Sequence, residues 1–144
     1  MTSTPASLPQ RLYAITLGAR DVATQRHFYE AWGWQAASYT TDEYVAFDVG
    51  GLMLAFYPTQ QLAKEAAPAE KDLSSAVWNR ITLAVNLPQR EDVDQVWQNA
   101  VNAGATAIGR PEDRPWGGRS GYIADPEGNR WEVVWVPPAL LAGG

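Results

Sequence analysis

Residues 11–33, RLYAITLGARDVATQRHFYEAWG, and residues 77–104, VWNRITLAVNLPQREDVDQVWQNAVNAG, follow one order of signals. In the first, Leu12, Tyr13, Ile15, Thr16 and Leu17 are strand formers that stop at Gly18. Asp21 can then cap a helix carrying Val22, Phe28, Tyr29 and Trp32 at helical spacing, with Gly33 as its stop. In the second, Val77, Ile81, Leu83 and Val85 share one strand parity. Val93, Val96, Trp97, Ala100 and Val101 then follow the i, i+3, i+4, i+7, i+8 pattern of a helix face up to Gly104. Ile15-Thr16-Leu17 recurs as Ile81-Thr82-Leu83.

Outward from these stretches, three strand signals follow each helix. After the first they lie at 34–40 (weak), 44–49 and 52–57, with Gly50-Gly51 turning between the last two; a short helix is expected over 59–65. After the second they lie at 105–108, 120–125 and 129–136, with Pro126-Glu127-Gly128-Asn129 as the turn. Gly51 and Gly128 open the last strand of each unit. The sequence therefore predicts an α+β domain of two βαβββ units, with eight strands and two main helices. Its mixed sheets curve around a cavity and its helices lie outside. The expected organisation is a flexible segment at 1–10 and a single domain at 11–137, followed by a tail at 138–144. Within the domain, unit one covers about 11–66, a linker about 67–76 and unit two about 77–137. Pro137-Pro138 makes the tail a poor candidate for regular structure.

With 144 residues, 46% hydrophobic and 19% charged, the chain has the composition of one globular domain. Eleven Lys and Arg against 16 Asp and Glu give a net charge of -5 and a pI near 4.7, which argues against nucleic-acid or anionic-membrane partners. The absence of cysteine removes disulfides, thiol catalysis and sulfur-ligated metals. Without an apolar run of membrane length or a signal-peptide pattern, a cytoplasmic location is expected.

Parity assigns the strand faces. Ile15, Leu17, Val45, Phe47, Leu52, Leu54, Phe56, Ile81, Leu83, Val85, Trp131, Val133 and Trp135 make an apolar face for the helices. The opposite face includes Tyr44, Met53, Tyr57, Trp78, Arg80, Tyr122 and Glu132, a mixed aromatic and charged set suited to lining a ligand cavity. Trp116, in the loop Arg110–Arg119, is a further candidate to stack on a planar ligand. One sheet face left uncovered in each unit leads us to expect a homodimer.

Leu17-Gly18-Ala19-Arg20-Asp21 running into His27-Phe28-Tyr29-Glu30-Ala31-Trp32-Gly33-Trp34 resembles the opening of the vicinal oxygen chelate superfamily. This is the group of glyoxalases, extradiol dioxygenases and bleomycin-resistance proteins. Asp125-Pro126-Glu127-Gly128-Asn129 followed by Glu132 resembles its closing hairpin. Trp116-Gly117-Gly118, Gly121-Tyr122 and Trp131-Glu132 look like a glyoxalase-like subgroup. The resemblance covers roughly residues 11–137. It implies the same fold and, in the family, a divalent metal held by His or Gln, Glu, His and Glu on the first and fourth strands of the two units.

Carried over residue by residue, those four positions hold Ala14, Ala55, Arg80 and Glu132. Alanine offers no donor and a guanidinium is permanently cationic, so only Glu132 can ligate. The sole histidine, His27, falls on the helix and reads as an ordinary surface or packing residue. No metal site and no cofactor are therefore expected. The leading functional reading is a metal-free protein that binds a planar or amphipathic small molecule. Tyr44, Met53, Tyr57, Trp78, Arg80, Trp116, Tyr122 and Glu132 are its ligand-binding candidates. The alternatives are a lyase, isomerase or dioxygenase of the glyoxalase type, or a metal-independent enzyme using Glu132 and Arg80. Arg80 and Glu132 either neutralise each other or serve as anion anchor and acid or base. Elemental analysis is expected to find no stoichiometric zinc, nickel, iron or manganese, and chelators to leave thermal stability unchanged. One transition metal per chain, dependent on Glu132, would overturn this expectation.

Overall fold

A computed structural model describes residues 8–74 and 77–141. The first unit comprises β1 (Ala14–Ala19), α1 (Val22–Trp32), β2 (Val45–Asp48) and β3 (Met53–Pro58), followed by α2 (Thr59–Ala66). The second comprises β4 (Thr82–Asn86), a 3-10 turn (Arg90–Asp92), α3 (Val93–Ala103), β5 (Thr106–Asp113), β6 (Arg119–Ala124) and β7 (Arg130–Trp135). Residues 67–74 of the expected linker hold neither helix nor strand, and 75 and 76 fall outside the described residues, as do 1–7 of the lead-in. Contrary to expectation, the tail does contain a short helix, α4 (Pro138–Leu141). Pro138 stands at its first position, where no N–H is needed. No helix is long and apolar enough to cross a membrane among the described residues.

Two mixed sheets result, with strand orders β1-β3-β2 and β4-β7-β6-β5. In each, the unit's last strand lies parallel beside its first, and the remaining neighbours are antiparallel. The helices begin and end where the sequence placed them. The Asp21 side chain accepts from the Thr24 N–H at 3.0 Å, and Gly33 and Gly104 close α1 and α3 at positive φ.

Seven strands form among the described residues, not eight. Residues 34–40 do not join the first sheet as a strand. Trp34 is drawn toward the core, its ring stacked on Tyr29 at 5.4 Å. The chain beyond touches β2 and the residue before it only at single points, such as Ala37 N–H to Ala46 O at 2.8 Å and the Thr41–Tyr44 bridge. With Ala36, Ala37 and Ser38 in sequence, the segment lacks the branched side chains that favour a ladder. A second difference concerns β4, which begins at Thr82. Asn79 Oδ1 accepts from the Ile81 N–H, the Trp78 indole N–H donates to Ile81 O, and Arg80 takes φ +64°, so 78–81 is a turn. Ile81, expected under the helices, is consequently 49% exposed.

Elsewhere the parity reading holds: Val45, Phe47, Leu54, Phe56, Trp131 and Val133 are buried. Both units contribute to one core. Tyr29 of α1 stacks on Phe56 at 5.2 Å and reaches Trp131 of the other unit at 6.0 Å, while the Trp32 indole donates to Val96 O on α3.

The units are joined by hydrogen bonds around a buried carboxylate. Asp125 accepts from Tyr29 Oη (2.6 Å), Gln25 Nε2 (2.8 Å), Asn129 Nδ2 (2.9 Å) and the N–H groups of Glu127 and Asn129 (both 2.9 Å). Trp131 Nε1 donates to the same Tyr29 hydroxyl at 2.8 Å. Burial, then the neighbouring Asp125 charge, push the Tyr29 phenol well above its usual range, which keeps its donating proton in place. Glu127 accepts from the Arg20 and Asp21 N–H groups and pairs with the Arg20 guanidinium, so the turn also grips the start of α1.

Tyr29→Phe removes one donor to a buried carboxylate and the acceptor of an indole N–H while preserving the ring. It is expected to cost on the order of 1–3 kcal/mol. Urea unfolding followed by tryptophan fluorescence measures this, and an unchanged midpoint would contradict the role given to the cluster.

Candidate functional site

The outer sheet faces, opposite the helices, carry the predicted ligand residues in two patches. Beside β2 and β3, the Tyr44 ring lies 6.3 Å from that of Tyr57 and stacks with Tyr39 at 6.4 Å. The Tyr39 hydroxyl donates to Met53 Sδ at 3.4 Å. The structure thus brings Tyr44, Met53 and Tyr57 together. It adds Tyr39, which sequence reading missed because the segment holding it was expected to be a strand.

The second patch is a row across the larger sheet. Ala84 of β4, Glu132 of β7, Tyr122 of β6 and Gly109 of β5 are level with one another. Between alanine and glycine, the row's only side chains of any reach are Glu132 and Tyr122. Both are half-buried. Burial first, then the charge of Glu132, raise the Tyr122 phenol, and Arg114 acts in the opposite direction. The Arg114 guanidinium lies 5.8 Å from the Tyr122 ring centre. It is held there by Ser120 Oγ (2.9 Å), Ser120 O (3.0 Å) and Glu112 (2.6 Å). From the other side of the sheet, Trp97 Nε1 donates to Tyr122 O at 3.0 Å and fixes the strand on α3. Arg114 was not singled out in the sequence because its place depends on the β5–β6 hairpin, whose register shifts twice between Ala107 and Glu112. The Arg114 N–H to Gly118 O bond that closes the hairpin is the signal that a turn at Arg-Pro-Trp-Gly-Gly could have supplied.

Three predicted residues lie apart from these patches. Arg80 and Trp78 belong to the turn before β4, and Arg80 makes no ion pair among the described residues. The residue level with Glu132 is Ala84, four positions later, so the expected Arg80–Glu132 pair does not form. Trp116 is 46% exposed and its ring folds over Gly118, where a Cβ would meet it at 2.0 Å. His27 is exposed on α1.

The strand registers also correct the repeat itself. Ala14 is level with Met53 and Thr82 with Arg130, and both partners stand two residues beyond the turn glycines Gly51 and Gly128. Ala14 therefore corresponds in space to Thr82, whereas the Ile-Thr-Leu echo pairs it with Arg80. Neither assignment makes a metal centre. Ala14 and Ala55 lack donors, Ala55 is fully buried, and no three His, Cys, Asp or Glu side chains converge among the described residues. The donor set does not fit a divalent metal.

A family model described as the Glyoxalase/Bleomycin resistance protein/Dioxygenase superfamily matches residues 11–133. Among solved structures, a glyoxalase-related enzyme from Fulvimarina pelagi is 29% identical, with a TM-score of 0.81 over 90% of each chain. A lactoylglutathione lyase from Agrobacterium tumefaciens shares the fold at 21% identity and a TM-score of 0.64, over 89% of this chain and 95% of that one. A stretch of 42 residues, 29% of this chain, is 50% identical to an uncharacterised protein of Mycobacterium bovis, and covers 28% of that protein's length.

The charges around Tyr122 set its titration. Glu132→Gln is expected to lower the phenol's pKa toward its ordinary value, and Arg114→Ala to raise it further. Ring resonances followed by NMR through alkaline pH measure both, and shifts of the opposite sign would contradict the placement of these charges.

Proposed function

The chain belongs to the glyoxalase/bleomycin resistance protein/dioxygenase superfamily, and from that premise we propose that it is a metal-free protein that binds small molecules on its outer sheet faces. One observation carries this reading. Of the four positions where the family holds its metal, two are Ala14 and Ala55, a third is Arg80 by the sequence echo or Thr82 by strand register, and only Glu132 carries a carboxylate or imidazole. Lewis-acid chemistry at that place has no ligand set to stand on, whereas the surroundings supply what binding needs. Tyr44, Met53 and Tyr57 with Tyr39 give flat, weakly polar surface, and Tyr122 with Glu132 gives a ring beside a charge.

In a single chain Tyr44, Met53, Tyr57, Tyr122 and Glu132 on these faces are each half-buried. A homodimer that lays one copy's sheets against its partner's closes them into a cavity. The acidic chain and its lack of a membrane-length helix among the described residues are compatible with a cytoplasmic protein.

A thermal-shift screen of aromatic and amphipathic compounds, with and without chelator, is the direct test. Compounds that stabilise the wild type are expected to act equally with chelator present. Tyr57→Ala or Tyr122→Ala should weaken them by on the order of 1–3 kcal/mol. Arg80→Ala should leave them unaffected. Turnover of a bound compound that stops in Glu132→Gln would favour a metal-independent enzyme instead. Sedimentation is expected to give a dimer, and a monomer at micromolar concentration would remove the closed cavity from this reading.

A further inference from the structure

The carboxylates around the second patch differ in one respect. Asp125 is saturated by donors, Glu127 holds Arg20, Glu112 holds Arg114, Asp113 holds Arg90 and Arg119, and Asp94 holds Arg119. Asp125 and Glu132 alone in this set have no cation within ion-pair distance among the described residues, and Glu132, half-buried on β7 between two other strands, lacks the shell of donors that surrounds Asp125. Nearby cations are committed elsewhere. Arg114 is fixed by Glu112 and Ser120, and Arg130, two residues away on the same face, donates to Gly128 O. A carboxylate withdrawn partly from water, with the Tyr122 phenol beside it and no cation paired to it, favours an incoming positive charge, since pairing recovers part of the solvation it lost. Beside it, the Tyr122 ring already accommodates one planar cation, the Arg114 guanidinium. On the other flank Ala84 leaves room next to the carboxylate.

We propose that this face takes a planar organic cation, an aryl amidine, guanidine or amine, whose charged end pairs with Glu132 and whose flat body lies against Tyr122. The proposal rests on the reading of the outer faces as a binding surface and assigns the class of ligand. It differs from one of the two sequence expectations for Arg80 and Glu132, in which Arg80 anchors a polar or anionic end of the ligand.

Benzamidine, benzamide and benzoate share one shape and carry charges of opposite sign or none, so they isolate the electrostatic part. NMR titration of the wild type is expected to rank benzamidine first by on the order of tenfold over benzamide, with benzoate weakest. In Glu132→Gln, an isosteric change whose fold is checked by circular dichroism, the preference should fall to less than about twofold. Tyr122→Ala should weaken benzamidine and benzamide alike. Equal binding of the three compounds, or a benzamidine preference that survives Glu132→Gln, would overturn the proposal. Equal binding that still depends on Tyr122 would discard the charge assignment and leave the binding surface standing. If none of the three perturbs the wild type, the cation site is refuted, and the thermal-shift screen decides separately whether the faces bind anything.

Discussion

One buried carboxylate holds the architecture together. Asp125 sits in the turn between β6 and β7, yet two of its donors, Gln25 and Tyr29, come from α1 in the other unit. A carboxylate removed from water without such partners costs several kcal/mol, so folding of the second unit's hairpin and docking of the first unit's helix are coupled. The Tyr29 hydroxyl donates to Asp125 while accepting from Trp131, and its ring stacks on Phe56, so one side chain touches both sheets. Glu127 repeats the arrangement at the helix start by accepting the N–H groups of Arg20 and Asp21.

The equivalent turn of the first unit has no such role. Asp48 is exposed and its carboxylate accepts from the Gly51 N–H, a local bond within its own turn. The two units are thus alike in outline and unlike in duty. The second unit's final strand is clamped at its start, and Glu132, seven residues after Asp125, inherits that rigidity. A carboxylate on a strand fixed at the turn, between flanking strands, keeps its position without the ordering cost a loop residue would carry.

Much of this was legible in the residues. Alternation identified the buried faces of β2, β3 and β7, and the caps at Asp21, Gly33 and Gly104 delimited the helices, because these signals are local and periodic. What could not be read there depends on contacts distant in sequence. Residues 34–40 carry Trp34, which the core claims, and a claim of that kind overrides a weak strand preference. Arg114 comes beside Tyr122 only through a hairpin with two register shifts. Arg80 stands away from Glu132 because Asn79 and Trp78 tie their side chains to the backbone of Ile81, a short polar turn competing with the strand pattern.

The two-residue offset between the Ile-Thr-Leu echo and the strand registers bears on how internal duplications are aligned. Side chains alternate with a period of two, so an even slip moves every residue along its strand by about 7 Å while leaving it on the same face. Burial is blind to such a slip, and a duplicated gene copy can drift by two positions without disturbing its core. Chemistry is not blind to it, because level neighbours are exchanged: Thr16 stands beside Ala55 in the first unit and echoes Thr82, yet it is Ala84 that stands beside Glu132. In folds built from repeated strands, hydrogen-bond register is the coordinate on which site residues are compared.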